Sequence, residues 1–149
     1  MSINPELQGR SYQLSDVYSV GRESIRDFAR AVKASHRAHF DVAAAQALGH
    51  ADLIAPPTYA IIVAQRADAL LINDPESGID FSRVVHAEQR FTHHKAIVAG
   101  DELVAELHVD TVRGMGGGAM ITTRAEISTV DGVAVATTVS AILVRGEGQ

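Results

Sequence analysis

The stretch from Leu53 to Asn73 constrains the fold of this chain more than any other part of the sequence. Pro56 and Pro57 precede a long run rich in Ala, Ile, Val and Leu. Up to Leu71 this run has only three polar residues, which are Gln65, Arg66 and Asp68. Proline fits the first turn of a helix because its missing N–H has no partner there. A helix that is apolar around most of its circumference is buried. We therefore predict a core helix that begins at the two prolines and is wrapped by the rest of the chain.

The second half of the chain has the pattern of consecutive strands. Apolar and polar residues alternate over 103–110 and 119–128, which is typical of half-buried strands. The segment 84–91 is mixed, and 133–144 is apolar on both faces, as in a strand that is covered on both sides. Asp131-Gly132 indicates a two-residue hairpin, and the glycines of 114–118 separate two further strands. The pattern predicts four antiparallel strands.

The first half predicts one strand followed by helices. Residues 11–20 have a strand-like pattern, and from Arg22 onward apolar residues recur at helical spacing: Ile25, Phe28, Ala29 and Val32. Residues 34–40 and 73–80 are predicted loops, and Asp41 is placed to cap a short helix that runs through Ala47 and ends at Gly49. The order of elements predicts an α+β fold, a curled antiparallel sheet around one long buried helix, in a single domain over 1–149.

Composition excludes several classes of function. The 149-residue chain has a formal net charge of -5, which argues against nucleic acid or an anionic membrane surface as the main partner. It has no cysteine, so disulfides and thiolate chemistry are excluded, in keeping with a cytoplasmic location. The first residues lack the basic-then-apolar order of a signal peptide, and the apolar helix is too short to cross a bilayer, which takes about 20 residues.

The sequence contains few residues in patterns that are typical of catalysis or ligand binding. The glycines of 114–118 are followed by a strand pattern instead of the helix that a phosphate loop requires, so we interpret them as a hairpin loop. His93 and His94 are adjacent and point to opposite faces of a strand, which disfavours a metal site. No Gly-x-Ser-x-Gly elbow is present. We expect no metal and no cofactor, and the remaining candidates are His36 and His39 in the predicted loop before the short helix.

A set of segments, taken in order, resembles the MaoC-like hot-dog proteins. The set comprises Val20–Lys33, His39–Gly49, Ile54-Ala55-Pro56, Arg90-Phe91 and Val98–Leu103. Within these proteins the chain is most similar to the HadA- and HadC-type subunits of actinobacterial (3R)-hydroxyacyl-ACP dehydratases. The resemblance implies a hot-dog fold, a dimeric assembly, and action on acyl thioesters of a carrier protein or of coenzyme A.

The resemblance also implies where a site would lie. Catalytic family members carry Asp-x-Asn-Pro-x-His in the loop before the short helix, and the His of that motif falls on His39. The Asp, Asn and Pro fall on Ala34, His36 and Arg37, so the chain departs from the motif at all three. The family's His-Gly pair, whose Gly N–H binds the thioester oxygen, is replaced by Pro56-Pro57, and proline has no N–H. The implied substrate-binding residues are His36, Pro57, Thr58 and Tyr59.

These departures favour a partner-dependent function. The resemblance implies a subunit that holds the acyl chain of a (3R)-hydroxyacyl thioester, either as a homodimer or as a heterodimer with a catalytic MaoC-like subunit that supplies the Asp and His. His39 is the one catalytic-type residue, and we expect it to work weakly because nothing orients it: Ala34 offers no carboxylate. Three alternatives stay open: a self-sufficient hydratase or dehydratase that uses His39, a non-enzymatic acyl-thioester-binding protein, and a thioesterase, for which Asp68 lies two turns too deep.

Overall fold

The computed structural model describes residues 3–146, so Met1, Ser2 and residues 147–149 of the predicted domain lie outside the described residues. The strands are β1 (Ser11–Ser19), β2 (Val84–His93), β3 (Glu102–Met115), β4 (Gly118–Thr129) and β5 (Ala134–Val144). The helices are α1 (Arg22–Ala31), α2 (Val42–Ala47) and α3 (Ile61–Ile72), with short 3₁₀ turns before β1, α2 and β2. The order of one strand, helices and then four strands confirms the sequence prediction.

The five strands form one antiparallel sheet in the order β1-β3-β4-β5-β2. The two hairpins fall where the glycines predict them. Gly116 and Gly117 have positive φ values of 54° and 90° between β3 and β4, and Gly132 has a φ of 93° in the turn before β5. The inward-facing residues of β4 alternate strictly with the outward ones, which is the period that the sequence carries. The helix α3 packs against β1, β3 and β4, so the sheet curls around it as predicted.

The central helix begins later than the prolines predict. Its first residue is Ile61 and its N-cap is Ala60, whereas Pro56 and Pro57 lie in the chain that leads to it. Proline disfavours helical geometry in the residue before it, so Pro57 keeps Pro56 out of a helix. Ala55 is also held in an extended segment, because its N–H donates to the carbonyl of Ile97 at 2.8 Å. The prediction that the prolines form the first helical turn is therefore wrong.

One face of α3 lies in the core, and the opposite side is only partly covered in this chain. The fully buried residues of α3 are spaced at helical intervals: Val63, Ala64, Ala67 and Leu71. The two alanines allow the helix to lie close to the sheet, where it packs among Leu107, Ile121 and other buried residues. No helix within residues 3–146 has the length and apolar character needed to cross a membrane.

Both edge strands of the sheet pair with an interruption in register. The outer strand β1 pairs with β3 through two short runs that are separated by a register shift between Leu14 and Tyr18. At the other edge β2 pairs with β5 over nine residue pairs, with a register shift between His86 and Glu88, and most of its side chains are exposed. Phe81, just before β2, is 71% exposed. An exposed edge of this kind is where a second chain can add to a sheet.

Candidate functional site

The site begins at a 3₁₀ turn formed by Arg37–His39, inside the segment that the sequence predicts to be a loop. The exposed His36 caps this turn, because its Nδ1 accepts a hydrogen bond from the N–H of Ala38 at 3.0 Å. His39 is only 7% exposed. The rings of His36 and His39 lie edge to face with their centroids 6.2 Å apart. The structure therefore brings the two candidate histidines together on one turn.

A backbone segment fifteen residues further along orients His39. The Nδ1 of His39 lies 2.7 Å from the carbonyl oxygen of Ile54, and the N–H of Ile54 donates to the carbonyl of Ala38 at 3.1 Å. A carbonyl oxygen can only accept, so Nδ1 carries the proton of the neutral ring and Nε2 carries the lone pair. The expectation that nothing orients His39 is therefore wrong. A main-chain carbonyl fixes its tautomer, and a sequence motif cannot reveal such a partner.

The Nε2 atom of His39 is not completely enclosed. No buried side-chain nitrogen or oxygen atom within residues 3–146 lacks a hydrogen-bond partner. The hydrogen bond of His39 is made by Nδ1, so Nε2 keeps some contact with solvent, although the residue is only 7% exposed. A neutral imidazole with an accessible Nε2 has the form that a general base requires.

Within residues 3–146, no carboxylate hydrogen-bonds to His39 to complete an acid–base pair. Asp41 caps α2 by accepting from the N–H of Ala43 at 3.0 Å, and it pairs with Arg37 at 2.8 Å. Asp52 pairs with Arg22 at 2.7 Å, and the hydrogen bond from this guanidinium holds the pKa of Asp52 below its ordinary value. Both carboxylates are thus engaged away from His39, and Ala34 supplies none.

The implied substrate-binding residues Pro57, Thr58 and Tyr59, which lie just before the N-cap of α3, divide into two groups. Pro57 and Thr58 are exposed, and Pro57 has no N–H with which to bind an oxyanion. Tyr59 is completely buried, and its hydroxyl lies 2.7 Å from that of Ser24 and 3.1 Å from that of Tyr18. Burial raises the pKa of Tyr59, so its phenol stays neutral within this cluster. In this chain the Tyr59 hydroxyl thus binds other side chains.

A second polar site lies at the middle of α3, around Asp68. From the sequence, Asp68 was considered only as a thioesterase carboxylate, and no binding site was predicted there. Asp68 lines a cavity of about 540 Å³ between α3, β2 and β5, together with His86 and apolar residues such as Ile72 and Ile142. The Oδ1 atom of Asp68 accepts from the hydroxyl of Thr123 at 2.8 Å. Burial raises the pKa of Asp68 above its ordinary value. The signal was present in the sequence, since Asp68 is the one acidic residue in the apolar run.

The cavities of the single chain and the His39 turn lie apart. Besides the cavity beside Asp68, cavities of about 740 Å³ and 400 Å³ lie near the C-terminal end of α3 and the β3–β4 hairpin. None of these three is lined by His36, His39 or residues 57–59. Within the described part of the chain, no three His, Asp or Glu side chains are grouped closely enough to hold a metal ion.

Comparisons of the whole sequence identify a family. The model described as "FAS1-like, dehydratase domain region" matches residues 6–138. A UPF0336 protein of Leifsonia xyli subsp. xyli is 49% identical over 145 residues, which is 97% of each chain. A UPF0336 protein of Clavibacter michiganensis subsp. michiganensis is 48% identical over 147 residues, which is 99% of each chain.

Comparisons of the structure agree with those of the sequence. A chain of the Mycobacterium tuberculosis HadBC complex, a 3R-hydroxyacyl-ACP dehydratase, superimposes with a TM-score of 0.83 at 34% identity. The match covers 92% of this chain and 96% of that one. A MaoC-like dehydratase superimposes with a TM-score of 0.84 at 31% identity over 94% of this chain and 42% of its own length. The R-hydratase PhaJ1 from Pseudomonas aeruginosa, at 17% identity and a TM-score of 0.72, shares the fold.

Proposed function

The chain belongs to the FAS1-like dehydratase family and has the MaoC-like hot-dog fold, and we propose that it is the acyl-chain-binding subunit of a (3R)-hydroxyacyl-thioester dehydratase. A second, catalytic MaoC-like subunit supplies the Asp–His pair. The substrate is an acyl thioester of a carrier protein or of coenzyme A.

The geometry around His39 is the observation that carries this proposal. The histidine has an accessible base nitrogen, but Asp41 and Asp52 are bound elsewhere and Ala34 replaces the motif's Asp. Pro57 removes the N–H that would stabilise an oxyanion at this position. General acid–base help is worth about 10²–10⁴ in rate, and one oxyanion donor is worth about 10²–10³. A chain that lacks both a complete acid–base pair and this oxyanion donor has little catalytic activity by itself.

A heterologous partner fits the shape of the sheet. Strand β2 presents an exposed edge, and the adjacent Phe81 is exposed. A second hot-dog subunit that adds its own edge strand here would cover both. The HadBC neighbour is a complex of two proteins by its own description. In such a pair this chain contributes α3 and the inner face of its sheet to an acyl channel.

The test is reconstitution. We expect the purified protein alone to show little hydration of crotonyl-CoA, and a mixture with a MaoC-like subunit that carries Asp-x-Asn-Pro-x-His to be active. Removal of the partner's motif His should abolish activity of the mixture, because that residue supplies the base. His39→Ala in this chain should leave most of the activity of the mixture intact.

Pro57→Gly provides the matched control for the oxyanion position. It restores an N–H but leaves Ala34 in place, so the isolated variant should stay inactive. The proposal fails if the isolated wild type is as active as the mixture. An assembled but inactive mixture that still binds the acyl thioester would indicate a binding protein without a catalytic role.

The orientation of His39 favours a second candidate function, a self-sufficient hydratase. The Ile54 carbonyl fixes the tautomer that a general base needs, which is the role that a carboxylate has in other sites. This candidate requires a drop of about a hundredfold or more in the isolated protein on His39→Ala.

A further inference from the structure

The half-buried carboxylate of Asp68 has no role in the function proposed above. It lies at the middle of α3, and it forms part of the wall of the 540 Å³ cavity. It is the one carboxylate in that wall, while Ala69, Ile72 and Ile142 are apolar neighbours along the same wall. An ionisable group in such a place is costly to keep unless it binds something.

Side chains from the sheet hold Asp68 from one side. Thr123 on β4, which is 2% exposed, donates its hydroxyl to Oδ1 at 2.8 Å. Ser140 on β5 is equally buried, and its hydroxyl donates to the Oε1 of Gln89 on β2 at 2.6 Å. The carboxylate is thus anchored against the sheet by Thr123, and it keeps capacity for a further donor, because a carboxylate can accept about four hydrogen bonds.

His86 on β2 also lines the cavity. Its Nε2 lies 3.1 Å from the carbonyl oxygen of Glu88, so Nε2 donates and the Nδ1 atom is an acceptor in the neutral ring. Gln65, one turn before Asp68 on α3, lines the same cavity. The lining of the cavity therefore combines apolar residues with the hydrogen-bonding side chains of Gln65, Asp68 and His86.

We propose that this cavity binds an acyl chain that carries a hydroxyl group, and that Asp68 is the specificity-determining residue that accepts a hydrogen bond from it. The proposal deepens the proposed function, on which it rests, by naming a feature of the substrate: a hydroxyl on the acyl chain beyond the one at the 3-position, in preference to a plain alkyl chain. Asp68 takes no part in the chemistry at the thioester.

The cost of desolvation gives the preference its direction. A plain alkyl chain would displace water from the carboxylate without replacing the hydrogen bonds that the water makes. Such a loss is unfavourable for a polar group that becomes buried. A hydroxyl replaces the water and donates to the carboxylate. Sites built to hydrogen-bond a substrate hydroxyl reject the analogue that lacks it for this reason. The raised pKa of Asp68 suits the same ligand, because a hydroxyl can also accept from the protonated form.

The experiment measures binding, so it does not depend on turnover. Dodecanoyl pantetheine and its positional hydroxy isomers are titrated into the full-length protein, alone and assembled with a catalytic subunit, and affinities are measured by calorimetry. We expect at least one isomer whose hydroxyl lies beyond the 3-position to bind about tenfold or more tightly than the unsubstituted chain. The position of the preferred hydroxyl reports the depth of Asp68 in the channel.

Two variants and one control separate recognition from folding. In Asp68→Leu combined with Thr123→Val, both partners become apolar, so no buried hydroxyl is left without an acceptor, and the preference should reverse to the unsubstituted chain. Asp68→Asn keeps the shape and should reduce the preference. Asp16→Asn removes an exposed carboxylate of β1 and should leave the preference unchanged.

The outcomes distinguish this inference from the proposed function. Equal binding of hydroxylated and unsubstituted chains in the wild type, unchanged in the Asp68 variants, overturns the role of Asp68 but leaves acyl binding intact. Failure of every chain to bind, alone and in the assembly, overturns both. A preference that persists in the folded double variant also overturns the assignment to Asp68.

Discussion

The beginning and the middle of α3 hold polar groups in opposite ways. At the beginning, the hydroxyls of Tyr59, Ser24 and Tyr18 lie within 2.7–3.1 Å of one another in a closed cluster. At the middle, Asp68 is anchored by Thr123 but lies in the wall of a cavity. Burial of a polar group is therefore not enough to identify a binding site. A polar group whose partners all belong to the protein stabilises the fold, whereas one that faces a cavity is available to a ligand.

The largest expected effect comes from removing the ring of Tyr59. Tyr59→Ala should lower the free energy of unfolding by about 3–5 kcal/mol, because it leaves a cavity in the core. Tyr59→Phe keeps the ring and should cost only about 0.5–1.5 kcal/mol, because Ser24 and Tyr18 remain 3.1 Å apart and still bind each other. Denaturant titration measures both. Equal losses for the two variants would show that the hydroxyl cluster, not the ring, supports the start of α3.

Removing the anchor of Asp68 should have a smaller effect. Thr123→Val keeps the shape of the side chain but takes away the donor to Oδ1, so we expect a loss of about 1–3 kcal/mol in the free energy of unfolding. Thr111→Val, at an exposed position of β3, is the matched control and should change stability little. A Thr123→Val protein as stable as the control would mean that the carboxylate is solvated through the cavity.

The hydrogen bond of His39 can be tested in the same way and by spectroscopy. His39→Ala leaves the partly buried carbonyl of Ile54 without its donor, so a loss of about 1–3 kcal/mol is expected. His36→Ala removes only the cap of an exposed turn and should cost less. Nitrogen chemical shifts of the neutral ring should place the proton on Nδ1. A proton on Nε2 would remove the structural support for a general base.

The smallest effect is a pH dependence that comes from Asp68. Its pKa in the folded protein is raised above the ordinary value of 3.8 by burial, so the folded state binds the proton more readily than the unfolded state. Stability from this group therefore increases as pH falls through the folded pKa and is fully present below the unfolded value. Asp68→Asn should lack this increase. The difference in unfolding free energy between wild type and variant, followed with pH, gives the sign, and an opposite slope would refute burial as the dominant cause.

The dimeric assembly expected from the sequence stays a prediction, and the exposed edge of β2 supports it. We expect a dimer because β2 pairs with β5 on one side and leaves its other edge open. Light scattering at micromolar concentration should find a dimer, or a heterodimer once the catalytic subunit is added. A monomer under both conditions would contradict it.

Local patterns were enough to predict most of the elements. The alternation in β4, the glycines at 116, 117 and 132, and the cap at Asp41 each depend on a few neighbouring residues, and all appear where predicted. The start of α3 was missed because the extended pairing of Ala55 with Ile97 overrides the preference of proline for a first helical turn. That pairing joins residues far apart in sequence, which no local pattern contains.

The sequence by itself determined the fold, because hydrophobic period, turn residues and order of elements all favour one curled sheet around a buried helix. It also determined what the His39 turn lacks, since Ala34 and Pro57 cannot supply a carboxylate or an N–H. Only the tertiary structure decided what those residues meet. The carbonyl of Ile54 orients His39, and Thr123 anchors Asp68 beside a cavity. Such contacts depend on how distant segments pack, so they appear only once the chain is folded.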